Sequence, residues 1–358
     1  MEKFNIYHRQ DGRWEGRISK GKTPDGNRKF DYFFGYSKAE VCEKMSKVRQ
    51  QNYLTTDKTI AEIFNEWFQN ARYRIKESTA SNYLMKAKKH ILPEFGEILV
   101  DSVCPENIHK FIENKMNQKL SARYIADILV LMKSLFKYAV RTYHIFNPMD
   151  GIPMPRQKKP EITLLDDEGQ KQLQQYIAEN QNTTSMGIAL SMSTGIRIGE
   201  LCALQWKDID LEKRILTVRK TMQRIQIQDA VTKTKLIITE PKSESSQRSI
   251  PIPECMMPML QKFQANGENF VLSGGEKPVE PRVMQYRFAK ILKNVKLPSV
   301  HFHALRHIFA TNCIKWGFDI KTLSELLGHS SVEITLNRYV HSDFEQKRAC
   351  MKQVNLNF

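Results

Sequence analysis

Four short motifs in the second half of the chain gather residue types suited to holding and attacking an anion. In Thr194-Gly195-Ile196-Arg197-Ile198-Gly199-Glu200, a Thr-Gly turn launches a helix with Arg197 and Glu200 one turn apart on one face, so the carboxylate can orient the guanidinium. Lys242 lies between β-prone Leu236–Thr239 and Arg248–Ile252, which read as one hairpin with the lysine near its tip and, given Pro251, an edge strand. His303 and Arg306 stand at i and i+3, close enough to share a pocket. His329 follows Gly328 at a helix stop, and Tyr339 falls near the end of the next helix, which Ser330 and Glu333 are expected to cap. Each motif has an ordinary reading on its own: a surface ion pair, an idle hairpin lysine, a tyrosine packed on an amphipathic helix. Together they specify a basic, carboxylate-poor pocket beside a phenol, a setting that suits an anion gaining charge. His303 and His307 also resemble half of a zinc helix, but no Glu follows the first His and no third ligand is evident. No metal site is expected.

These groups need a scaffold, and the chain supplies three textures. Residues 1–56 read as a small sheet and a helix: Arg13–Ser19 alternates in the strand period, Lys29–Phe34 is aromatic and β-prone, and Pro24–Asn27 is turn chemistry between them. Ser37 and Glu40 form a capping box for the helix. Residues 57–155 are all helix. Thr59 and Glu62 make a second capping box, Ser78 opens a helix that ends before Pro93, and Ser121 precedes an apolar stripe from Ile125 to Ala139. Proline-rich, basic residues around the linker at 156–160 form an extended strap, and residues 161–358 are mostly helical with a strand-like stretch near 215–252. Fifty-five Lys and Arg against 39 Asp and Glu give a net charge of +16, which points to a polyanionic partner, nucleic acid above all. Arg13 and Arg17 on the sheet, and Lys86, Lys88 and Lys89 on a helix, are candidate DNA contacts; a solvated face is the alternative. Six scattered cysteines without a Cys-x-x-Cys pair fit a reducing cytosol, and with no apolar h-region at the start and no run of about 18 apolar residues, neither secretion nor a membrane span is expected.

The ordered series Arg197, Lys242, His303-x-x-Arg306, Leu-Gly-His329 and Tyr339 resembles the active-site signature of the tyrosine recombinases, the family of phage and conjugative-transposon integrases. The likeness runs through about 161–341, and no catalytic position departs from the pattern. Segment 57–155 is similar to the family's core-binding domain, and 1–56 more weakly to an arm-binding domain. The resemblance implies a multidomain, mainly α protein: a small N-terminal β-sheet plus helix domain, a helical core-binding domain, and a mixed α+β catalytic domain. It implies Tyr339 as the nucleophile that forms a phosphotyrosine link, with Arg197 and Arg306 clamping the phosphate. Lys242 then protonates the departing 5′ oxygen, His303 accepts the phenol proton, His329 hydrogen-bonds the scissile phosphate and Glu200 braces Arg197. No cofactor follows from it. The implied partners are double-stranded DNA at core and arm sites, further copies of the chain up to a tetramer, and an excision factor, all in a bacterial cytoplasm. A type IB topoisomerase and a catalytically idle DNA-binding regulator are the competing readings.

Overall fold

The computed structural model describes residues 6–22, 28–51, 56–156, 163–227, 234–241 and 244–339. The turn expected at 24–27, residues 157–160 of the strap, Lys242 and the tail after Tyr339 lie outside them. The chain divides into two compact units, Met1–Lys159 and Pro160–Phe358.

The first unit opens with an antiparallel sheet, β1 (Ile6–His8), β2 (Trp14–Lys22) and β3 (Arg28–Gly35), in that spatial order. Helix α1 (Lys38–Gln51) covers one face, where Val41 and Met45 lie over Gly16 and Gly35. Its cap departs slightly from the expected box: Ser37 Oγ accepts from the Glu40 backbone, while Glu40 reaches back to the N–H of Tyr36. Directly paired residues share a face, so Tyr7, Glu15, Arg17, Tyr32 and Phe34 stand on the face opposite the helix.

Helix α2 (Ile60–Arg72) starts at the full Thr59–Glu62 capping box and buries Ile63, Phe64, Trp67 and Phe68. The longest helix, α6 (Ala122–Tyr143), is capped by Ser121, and its whole apolar stripe from Ile125 to Ala139 is buried. Each of the large apolar side chains among them contributes roughly 1.5–3 kcal/mol on burial. Between them run α3 (Glu77–Lys86), α4 (Leu92–Phe95) and α5 (Pro105–Asn117). Two expectations are corrected here. Helix α3 begins at Glu77 after Lys76, so Ser78 lies inside its first turn, with a buried hydroxyl that makes no hydrogen bond. Pro93 does not end that helix: a π-helical stretch, Ala87–Ile91, leads straight into α4, with the Leu92 N–H bonded to the Ala87 carbonyl. The widened turn accommodates the residue that lacks an N–H.

The second unit holds α7 (Asp167–Glu179), α8 (Thr183–Thr194) and α9 (Ile198–Ala203), then a sheet region and five more helices. Strands β4 (Ile209–Asp210), β5 (Ile215–Val218) and β8 (Arg248–Pro251) form one sheet, with β6 (Thr221–Gln226) and β7 (Thr234–Thr239) in another. The hairpin expected across Lys242 is therefore not formed. β7 pairs with β6 over six residues, from Thr221↔Thr239 to Gln226↔Thr234, a longer ladder than four-residue β8 offers. β8 instead sets Ile250 opposite Leu216, both buried, at the edge that Pro251 tolerates. Helices α10 (Met257–Phe263), α11 (Pro281–Asn294), α12 (His303–Lys315), α13 (Ile320–Leu327) and α14 (Val332–Tyr339) complete the unit. Helix α8 lies at its centre, against α7, α10, α11 and α12. Since α14 starts at Val332, Ser330 stands one residue outside the capping position expected for it.

Candidate active site

Two chain reversals, at Gly195 and Gly328, place Arg197 and His329. Helix α8 stops at Gly195, whose φ of +66° is the left-handed conformation; a Cβ there would lie 2.5 Å from Phe309 Cδ1 and 2.9 Å from Leu327 Cδ2. Two residues later Arg197 occupies the cap of α9 in extended conformation. It therefore precedes the helix rather than riding on its face. Glu200 holds it twice: Oε2 accepts from the Arg197 backbone N–H at 3.0 Å and Oε1 from Nη1 at 2.7 Å. Arg197 Nη2 donates to the Gly328 carbonyl at 3.0 Å.

Arg306, one turn into α12, is 2% exposed. Its Nη1 donates to the Gly195 carbonyl at 2.8 Å and Nη2 to the Leu327 carbonyl at 2.6 Å. A third guanidinium, Arg248 at the start of β8, donates from Nε to the Leu326 carbonyl at 2.6 Å and from Nη2 to Glu200 Oε2 at 2.9 Å. The carbonyls of Leu326, Leu327 and Gly328, at the negative end of α13, thus each accept from a different arginine. Burial pushes the Glu200 carboxyl up, but Arg248 and Arg197 outweigh it, and it titrates below the ordinary carboxylate range. Burial, with repulsion from Arg197 and Arg248, pushes Arg306 down to about 9. A third arginine shares this interior at a cost that an anion would relieve.

At Gly328 α13 ends with φ +63°, and the chain turns into His329, whose N–H bonds the Ser324 carbonyl at 3.0 Å. His329 Nδ1 is 2.8 Å from Thr335 Oγ1, and Thr335 is fully buried. Tyr339 lies parallel to the His329 ring at 6.4 Å and packs on the small core of Phe309, Ala310, Cys313, Leu323 and Leu327. From α12 the ring that faces it is His307, at 5.4 Å; His303 touches His307 edge-on at 4.9 Å.

Arg197, Glu200, His303, Arg306, His329 and Tyr339 are thus joined through one chain of contacts, while Lys242 falls outside the described residues. Sequence reasoning missed Arg248 and missed His307 except as a possible zinc ligand. For His307 the i, i+4 relation to His303 was the available signal; Arg248 is an isolated charge at a strand start and carried none. Among the described residues no three of His, Cys, Asp and Glu gather as a metal site would require. Burial pushes the thiols of Cys202 and Cys313 up to about 12, which removes both as nucleophiles near neutral pH.

The candidate DNA contacts differ among themselves. Arg13 is exposed, bonds Asp11 at 2.8 Å and lies over the Phe34 ring. Arg17 sits 5.1 Å from both the Tyr7 and Phe30 rings and donates to the Tyr7 hydroxyl at 2.7 Å. Lys86 turns toward Asp127, 3.3 Å away, with its side chain only 14% exposed, whereas Lys88 and Lys89 face solvent.

Helices α12 to α14 carry these groups beside a small sheet, and the family match below makes the chain a DNA strand-cleaving enzyme of the tyrosine recombinase class. The chain belongs to the phage integrase family, whose model matches residues 164–346; the family's N-terminal SAM-like domain matches residues 59–116. It is 28% identical over 94% of both chains to a tyrosine recombinase XerC-like protein of Caldanaerobacter subterraneus. It is 24% identical to the ICEBs1 integrase of Bacillus subtilis, covering 77% of this chain and 73% of that one. Among solved structures, the Tn1549 transposon integrase in complex with a circular intermediate DNA superposes with a TM-score of 0.69, at 23% identity over 82% of this chain and 99% of that one. A lambda integrase dimer bound to a core site superposes with a TM-score of 0.59, at 18% identity over 94% of each chain.

Proposed function

We propose that this chain integrates and excises a mobile element by cutting DNA with Tyr339, which becomes joined to the 3′ phosphate while the 5′ oxygen leaves. The observation that carries this reading is the gathering of Arg197 and Arg248 on Glu200, and of Arg306 on the Leu327 carbonyl, at the turn that presents His329, with Tyr339 packed alongside. Three guanidiniums against that one carboxylate leave an excess of two positive charges. A pentacoordinate phosphorane gains a second negative charge over the diester, so the pocket is matched to the transition state more than to the substrate. Arg197 and Arg306 clamp the non-bridging oxygens, and His329, steadied by Thr335, bonds the same phosphate. Lys242 protonates the leaving oxygen, a role that rests on the family pattern. The phenol proton passes toward the His307–His303 pair, of which His307 stands next to Tyr339. Since the phosphotyrosine ester keeps the energy of the broken link, no nucleotide is needed.

On this reading the partners are core and arm sites in duplex DNA, and further copies of the chain that assemble as a tetramer, with an excision factor for the reverse reaction, in a bacterial cytoplasm. Among the described residues no helix is long and apolar enough to cross a membrane. The test is a nicked suicide duplex carrying the element's junction sequence. The unaltered protein should form a denaturant-stable DNA adduct and Tyr339→Phe none; equal adduct from both refutes the assignment. Robust relaxation of a plasmid lacking that junction would favour a topoisomerase instead.

A further inference from the structure

Arg248 stands outside the six-residue series, yet its guanidinium is bonded on three sides. Nε donates to the Leu326 carbonyl at 2.6 Å, Nη1 to the Ser246 carbonyl at 3.0 Å and to Glu200 Oε1 at 3.3 Å, and Nη2 to Glu200 Oε2 at 2.9 Å. Its side chain is 6% exposed. Four of the five N–H donors of an arginine are thereby committed to the protein, which leaves little with which to bind substrate.

What Arg248 does to Glu200 decides what Arg197 can do. Each carboxylate oxygen is shared: Oε1 between the Arg197 and Arg248 guanidiniums, Oε2 between the Arg197 backbone and Arg248. Guanidinium and carboxylate left alone prefer two parallel bonds. Without Arg248, Glu200 would draw the Arg197 guanidinium into that pairing and take its remaining donors from the phosphate. The bond to Leu326 is a second hold, three residues before His329. Gly328 packs directly on Arg248, where a Cβ would lie 3.0 Å from Cδ and Nη1.

We propose that Arg248 is a positioning residue for strand cleavage. By occupying Glu200 and the Leu326 carbonyl together, it keeps the Arg197 guanidinium open to the scissile phosphate and sets the turn that carries His329. The proposal rests on the reading above, in which those two side chains meet the phosphate.

Single-turnover cleavage of the nicked duplex separates this role from simple structural support. R248K keeps the charge, but one ammonium cannot replace the fork. Its rate constant should fall about 100-fold, the scale of an ångström-sized misplacement, while the final yield of adduct and the affinity for the duplex stay within about twofold. Loss of folding would do the reverse, lowering the yield and sparing the rate constant. Should R248K lose yield, R248Q, which keeps Glu200 charged but cannot bond it and the Leu326 carbonyl together, is measured the same way. A near-normal rate constant in the fraction of either variant that reacts overturns the proposal. Absence of any Tyr339 adduct with the unaltered protein instead sinks the strand-transfer reading, and this proposal with it.

Discussion

Replacing Glu200 with glutamine keeps the volume of a 3% exposed side chain and removes the charge that Arg197 and Arg248 share. Taking one partner from a buried ion pair costs about 3–5 kcal/mol, because the other charge stays behind. The Arg197 side chain is 33% exposed, so its share is screened, and the lower end, about 3 kcal/mol, applies. In a unit the size of Pro160–Phe358 that corresponds to a fall in Tm of roughly 6–12 °C. The pH dependence follows from the direction of the Glu200 shift: burial raises it, Arg248 and Arg197 lower it further, and the net pKa is depressed. A depressed carboxylate stabilises the fold above its unfolded pKa and loses that contribution as pH falls through the folded one. The Tm gap between the two proteins should hold steady from about pH 8 to about pH 5 and close below about pH 4. Thermal melts across that range are the assay. A gap under about 2 °C at neutral pH, or one that widens toward acid, would refute the claim that this carboxylate holds the arginines together.

Three other perturbations test separate parts. Gly328→Ala forces a Cβ into left-handed backbone, at roughly 1–2 kcal/mol, and within 2.9 Å of the Ser245 carbonyl; Tm should drop by roughly 2–8 °C and adduct form more slowly, both read on one preparation. Removing Lys88 and Lys89 together should reduce the salt dependence of core-site binding by about 1–2 in log–log slope, whereas Lys86→Ala, already paired with Asp127, should leave the slope unchanged in a titration by fluorescence anisotropy. Deleting residues 1–56 should abolish binding to arm sites and spare cleavage at the core site; loss of both in gel-shift and suicide assays would contradict a domain boundary at that point.

Local signals survived folding well. Thr59 and Ser121 cap their helices as their positions imply, Gly328 ends α13, and His303 and Arg306 fall one turn apart on α12. These rest on backbone preferences of a few neighbouring residues, whereas the helix starts expected at Ser78 and Ser330 fell a residue or two away. Most of what was not legible depended on distant partners. Pro93 should stop a helix, but a π-turn built from Ala87–Ile91 carries the chain past it. β7 and β8 both read as strands, but each pairs elsewhere, β7 with β6 over six residues and β8 with β5 over four. Lys86 belongs to a basic run, yet Asp127, 41 residues away, turns it inward. Arg248 is the strongest case: its importance lies in Glu200 and Leu326, 48 and 78 residues distant, and no spacing rule connects them.

Because successive carbonyls at the end of α13 are gripped from the α9 cap, from α12 and from β8, the arginine cluster and the corner leading to Tyr339 form a single mechanical part. On the proposed reading, a chain whose α13–α14 corner is displaced would lose phosphate activation and tyrosine placement in the same motion, with all of its reactive side chains still present.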